Sequence, residues 1–107
     1  MYRELLWLPG GIIGELSMAN VVIYTSSATG LLKVKKDQTS LKFLLDKKKV
    51  PYTEEDVASN ISARAEMKAG SGKTDLPQLF VDGRFIGTYD EVVDLEEVGE
   101  LNPKLGI

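Results

Sequence analysis

Apolar residues along the chain fall into short runs with different periods. Val21-Val22-Ile23-Tyr24 is β-branched and aromatic without a polar break, which predicts a buried strand. After Gly30, apolar residues recur at Leu31, Val34, Leu41, Leu44 and Leu45 with lysines between them. That spacing predicts an amphipathic helix from about Leu32 to Lys49, ended by Pro51. Tyr52–Val57 alternates enough for a second strand, more exposed than the first. Asn60 is placed to cap a short helix through Lys68, which Gly70-Ser71-Gly72 stops. The sharpest local signal is Gln78-Leu79-Phe80-Val81, Asp82-Gly83, Arg84-Phe85-Ile86, because Asp-Gly between two apolar strands favours a two-residue type I′ hairpin. Thr88-Tyr89-Asp90-Glu91 has the spacing of a capping box. It predicts a last helix from Tyr89 to about Gly99, with Val92, Val93 and Leu95 facing inward.

The predicted order is strand, helix, strand, helix, strand, strand, helix. A strand–helix–strand unit implies a parallel pair joined by a right-handed crossover, and the hairpin implies an antiparallel pair. Together they describe an α/β domain with a four-stranded mixed sheet flanked by three helices. Residues 1–19 stand apart. Their apolar residues form two pieces, Leu5–Leu8 and Ile12–Ile13, split by Pro9-Gly10-Gly11, without the unbroken apolar core of a signal peptide. We read 1–19 as an N-terminal leader or tail, able to dock its apolar side chains on a domain of residues 20–107. No apolar run approaches the roughly 18 residues of a membrane span.

Composition narrows the chemistry further. With 107 residues, 43% apolar and 27% charged, the chain has the size and balance of one globular domain. A net charge of −3 gives no support to a nucleic-acid role. The charge is uneven: residues 33 to 49 hold seven lysines against Asp37 and Asp46, and residues 82 to 107 hold seven acids against Arg84 and Lys104. Opposite charges on two helix faces suit solvated surfaces, and a basic patch also suits steering of an acidic partner. Cysteine is absent, which removes disulfides, thiol catalysis and thiolate metal sites. Histidine is absent too, so neither an imidazole proton shuttle nor an ordinary zinc site can form. The polar loop TSSATG, residues 25–30, follows the first strand, where many α/β proteins place their chemistry. Its serines have no histidine to activate them, and a pairing of Ser26 or Ser27 with Lys33 has no supporting motif.

Taken together, the loop after the first strand, Leu76-Pro77 before the third, the Asp-Gly hairpin and Gly87-Thr88-Tyr89-Asp90 resemble the thioredoxin fold in its glutaredoxin version. Within that group, "IYTSSATGLLKVKKDQTSLKFLLDKKKVPYTEEDVASN" and "LPQLFVDGRFIGTYDEV" resemble the SH3-domain-binding glutamic-acid-rich-like proteins, over about Val21 to Leu101. The resemblance implies that the glutaredoxin nucleophilic cysteine falls at Thr29 and the second cysteine at Leu32. The lysine that often precedes the motif falls at Ser26. Pro77, after Leu76, would be the cis-proline, and Gly87-Thr88-Tyr89-Asp90 the turn that receives the glutamyl end of glutathione.

A threonine cannot do a thiolate's work. Thiol exchange depends on lowering a pKa of about 8.5 at a helix N-terminus. An alcohol is a far weaker acid, and the helix dipole contributes only about 1 kcal/mol. Thr29 or a nearby serine is expected to cap the helix, with Gly30 permitting the turn. The resemblance implies that binding survives: in the thioredoxin fold the backbone of the residue before the cis-proline, here Leu76 before Pro77, holds an extended peptide as an added strand. The N–H groups that start the last helix can receive a carboxylate, and the resemblance pairs an acid at Asp90 with a ligand amine. The expected function is a non-catalytic, cytoplasmic adaptor or regulatory module for protein partners. Its expected site is a vestigial glutathione cleft of Ser26, Ser27, Thr29, Leu76, Pro77, Gly87, Thr88, Tyr89 and Asp90. No cofactor or metal is expected, and glutathione binding is expected to be weak or absent. The alternative is a glutathione-binding, glutaredoxin- or transferase-like enzyme in which the hydroxyl of Thr29 or Ser27 orients the ligand's thiol. SH3 recognition is not inherited: TDLPQLF holds a single proline and the C-terminal acids are mixed with apolar residues.

Overall fold

A computed structural model describes residues 19–107. Residues 1–18 of the leader read over residues 1–19 lie outside the described residues. The element order is β1 (Val21–Thr25), α1 (Leu32–Lys47), β2 (Thr53–Asp56), α2 (Ile61–Ser71), β3 (Gln78–Val81), β4 (Arg84–Thr88), α3 (Tyr89–Glu97) and α4 (Leu101–Leu105). The four strands form one sheet in the order β2-β1-β3-β4. β1 runs parallel to β2 and antiparallel to β3, and β3 pairs antiparallel with β4. This is the four-stranded mixed sheet expected from the pattern, in the thioredoxin-like arrangement that the resemblance implies, with one addition. The short helix α4 was not foreseen, because five residues carry no readable period and Pro103 reads as a breaker. Proline is tolerated in a first helical turn, where its missing N–H has no intrahelical acceptor. Leu101 and Leu105 of α4 are buried.

Side-chain alternation divides the core between the two faces of the sheet. Val21 and Ile23 of β1 and Leu79 and Val81 of β3 point toward α1, α3 and α4, where they meet Leu41, Leu45, Val92, Leu101 and Leu105. Tyr24 and Phe80 point the other way and pack with Ala63 and Met67 of α2. Tyr24 and Phe80 meet edge to face with ring centres 5.0 Å apart.

The local signals act as physics predicts in most places. Asp82 and Gly83 both have positive φ, 52° and 80°, as a type I′ turn requires. Asp82 also ties the hairpin to the start of β1: its carboxylate accepts from the Asn20 amide at 2.8 Å and its own amide donates to the Asn20 carbonyl at 2.9 Å. Asn60 caps α2 by accepting from the Ala63 amide at 3.0 Å. α1 ends at Lys47, two residues earlier than expected, and Pro51 is not what stops it. Lys49 takes a left-handed φ of 59°, and the Lys49 and Val50 amides donate to the Asp46 and Leu45 carbonyls in a Schellman closure.

Candidate functional site

The loop between β1 and α1 is held in place by side chains from elsewhere in the chain. The Ser26 amide donates to Gln38 Oε1 at 2.7 Å, and Gln38 Nε2 donates to the Ser26 carbonyl at 3.2 Å. One glutamine on α1 therefore satisfies both backbone groups of Ser26. Ser27 turns the opposite way: its amide and hydroxyl donate to Asp56 at 3.1 and 2.6 Å. Asp56 also accepts from the Ala58 amide and the Ser59 hydroxyl. These bonds, Ser27's first, hold the Asp56 carboxyl down at about 2.

The expected cap on α1 is not made. The N-cap is Leu31, with no side-chain hydrogen bond. Thr29 Oγ1 accepts from the Leu31 amide at 3.2 Å, one residue too early to satisfy the helix. The first intrahelical bond runs from Lys35 to the Leu31 carbonyl, so the amides of Leu32, Lys33 and Val34 have no intrahelical acceptor.

Opposite this helix start lies the strap before β3. The Leu76-Pro77 peptide bond is cis. Pro77 is buried, and Gln78 fastens the strap by donating from Nε2 to the carbonyls of Lys73 and Asp75 at 3.0 and 2.8 Å. The start of α3 completes the wall. The Thr88 amide donates to Glu91 Oε1 at 2.9 Å, and this bond is the main reason the Glu91 carboxyl lies below the usual range. Gly87 is needed for that closeness, since a Cβ there would stand 2.7 Å from the Glu91 Cβ.

These three segments enclose a cleft of about 450 Å³. Ser26, Thr29, Leu76, Thr88, Tyr89 and Asp90 all line it, so six of the nine expected site residues converge. Pro77 and Gly87 are buried and act through the backbone they shape. Ser27 is not among the lining residues, because Asp56 holds it away. Leu32, where the resemblance puts the second cysteine, does not line the cleft either and is 71% exposed. Lys33, Asp37, Thr74 and Asp75 were not singled out as cleft residues from the sequence, yet they line it. Lys33 reaches between two elements, 2.6 Å from Asp37 on its own helix and 3.5 Å from Asp90 at the start of α3. The Asp37 hydrogen bond holds the Lys33 amine above the ordinary lysine range. The i,i+4 spacing of Lys33 and Asp37 was visible in the sequence; the approach of Asp90 was not.

The arrangement can present a helix N-terminus and a cis-proline strap to a ligand, and the chain supplies no thiol. The glutaredoxin family model matches residues 39–86, a span that holds the strap and hairpin and excludes the loop around Thr29. Glutaredoxin 3 of Escherichia coli (strain K12) is 36% identical over 88 residues, covering 82% of this chain and 99% of that protein. Among solved structures, the actin interacting protein Aip5 of C. albicans superposes with a TM-score of 0.71 at 24% identity, over 81% of this chain and 88% of that one. The buckwheat glutaredoxin–glutathione complex gives 0.66 at 21% identity, over 82% and 77%. The chain belongs to the glutaredoxin family. It is a member with no cysteine.

Proposed function

We propose that this protein is a non-catalytic glutaredoxin-like module that holds an extended segment of a protein partner in the cleft between Thr29 and Leu76-Pro77. One observation carries the reading: the cleft keeps its cis-proline strap and helix start while its nucleophile position holds Thr29. A backbone clamp needs no thiol, whereas disulfide exchange does. We place the chain with the SH3-domain-binding glutamic-acid-rich-like proteins on the motifs quoted above, and with them in the cytoplasm. We take residues 20–107 as the binding domain and 1–19 as a leader. That the solved neighbours include a protein named for interacting with actin supports a partner-binding role for the fold.

Glutathione is the second reading, favoured by the convergence of Thr88, Tyr89 and Asp90 on the cleft. Charge weighs against it. The lining carries Asp37, Asp75 and Asp90 against Lys33, and Lys33 already neighbours the Asp90 carboxylate that a ligand amine would use. An anionic tripeptide meets a net negative wall.

Disulfide exchange with glutathione and a small disulfide tests the reading. The wild-type chain is expected to add nothing to the uncatalysed rate, and Thr29→Cys to create measurable exchange. Turnover by the wild type would overturn it. A companion measurement uses Thr29→Trp to fill the cleft. Partners retained by the wild type should be lost at least tenfold, and an unchanged set would remove the cleft from the mechanism.

A further inference from the structure

Beside the cleft, and sharing Tyr89 with it, a groove of about 510 Å³ runs between α1 and α3. Its apolar lining is Phe43, Leu44, Tyr89 and Val93. Phe43 is 69% exposed and belongs to neither core cluster. Phe43 and the apolar lining of the groove form one contiguous apolar surface that no described residue covers. The groove's charges are sorted by helix: α1 contributes Lys47 and α3 contributes Glu96 and Glu97. Lys48 pairs with Glu96 at 2.8 Å, which brings the ends of α1 and α3 together. Phe43 and Val93 each stand one turn before Lys47 and Glu97 on their own helices, and all four line the groove. Among the described residues, neither Lys47 nor Glu97 forms an ion pair.

We propose that a second copy of this chain docks on this face in a two-fold dimer whose axis lies along the groove. A two-fold contact must be self-complementary. Rotation about an axis parallel to the groove exchanges α1 and α3 and keeps every level. Each Lys47 then meets the other copy's Glu97, and each Phe43 lies over the other copy's Val93. The competing axis, perpendicular to the helices, would lay α1 on α1 and set lysine-rich faces against each other, so charge selects the first. The 16-residue α1 is roughly 24 Å long, and a face two helices wide buries roughly 500 Å² per copy. That is below the about 800 Å² per partner of a standard interface, so the dimer is weak, micromolar and sensitive to salt. Leu76 and Thr29 do not line this groove, so each dimer would carry two open clefts and could hold a bivalent partner by avidity.

Sedimentation equilibrium of the full chain, from low micromolar to near-millimolar concentration, tests this. A concentration-dependent dimer is expected. Its dissociation constant should rise as salt goes from about 0.01 M to about 0.15 M, where the screening length falls from about 30 Å to about 8 Å. Phe43→Glu should raise that constant at least tenfold with the circular dichroism spectrum unchanged. Lys47→Glu and Glu97→Lys should each be monomeric alone, because each places like charges opposite one another twice. Mixed in equal amounts they should form a heterodimer, because both contacts then pair opposite charges. A chain that stays monomeric throughout, including one whose own residues 1–18 cover the groove, overturns the proposal. So does a dimer indifferent to Phe43→Glu, or a mixture of the two charge variants that fails to associate.

Discussion

Asp56, at the end of β2, accepts two bonds from Ser27 and one each from Ala58 and Ser59, and so fastens the loop after β1 to the loop after β2. Its folded pKa of about 2 lies below the ordinary 3.8, so the charged form is favoured in the folded state. The stability this contributes is fully present above the ordinary value and is lost as pH falls through about 2. Urea midpoints measured down that range should therefore fall more steeply for the wild type than for Asp56→Asn. Equal slopes would mean that the carboxylate is not the fastener. The same bond explains why Ser27 departs from expectation: it was read as a cleft residue from its place in the loop, and a carboxylate 29 residues away turned it outward. Gly87 was read from a motif as part of a ligand turn, and its physical reason is close packing against Glu91.

At the scale of elements, the two helix starts that looked alike in sequence behave differently. Asn60 makes the side-chain cap of α2, and Thr29 leaves α1 uncapped. Asn60→Ala should cost about 1 kcal/mol of stability, while Thr29→Ala should change it by less than about 0.5 kcal/mol, both read from denaturant unfolding. A comparable loss at both positions would show that Thr29 does serve α1 as a cap. A threonine held in a local turn to Leu31 leaves the first amides of α1 without a side-chain cap. The hairpin was legible because Asp-Gly has few conformations that suit it. The end of α1 was not, because a lysine rather than a glycine takes the left-handed position.

For the molecule as a whole, the cleft is assembled from α1, the strap before β3 and the start of α3, so it depends on α1 staying docked on the sheet. Leu41 is fully buried within the cluster that joins α1 to Ile23, Leu79 and Val92. Leu41→Ala should cost about 2–5 kcal/mol in urea unfolding, by lost burial and an unfilled cavity. The uneven charge noted in the sequence also changes meaning at this scale. Lys47 of α1 and the acids Glu96 and Glu97 of α3 line one groove, partly stitched by Lys48–Glu96.

The sequence by itself determined the strands, the three longer helices, the hairpin and the absence of thiol chemistry, while the cis-proline strap was legible only through the family resemblance. Each of these follows from a period of two or 3.6, from a residue with few allowed conformations, or from an element missing altogether. Only the tertiary structure decided which polar side chains face the cleft. Ser27 left it because Asp56 was near, and Lys33 entered it because α3 starts beside α1. Direction and partnership are set by contacts between residues far apart along the chain, and local pattern carries no record of them.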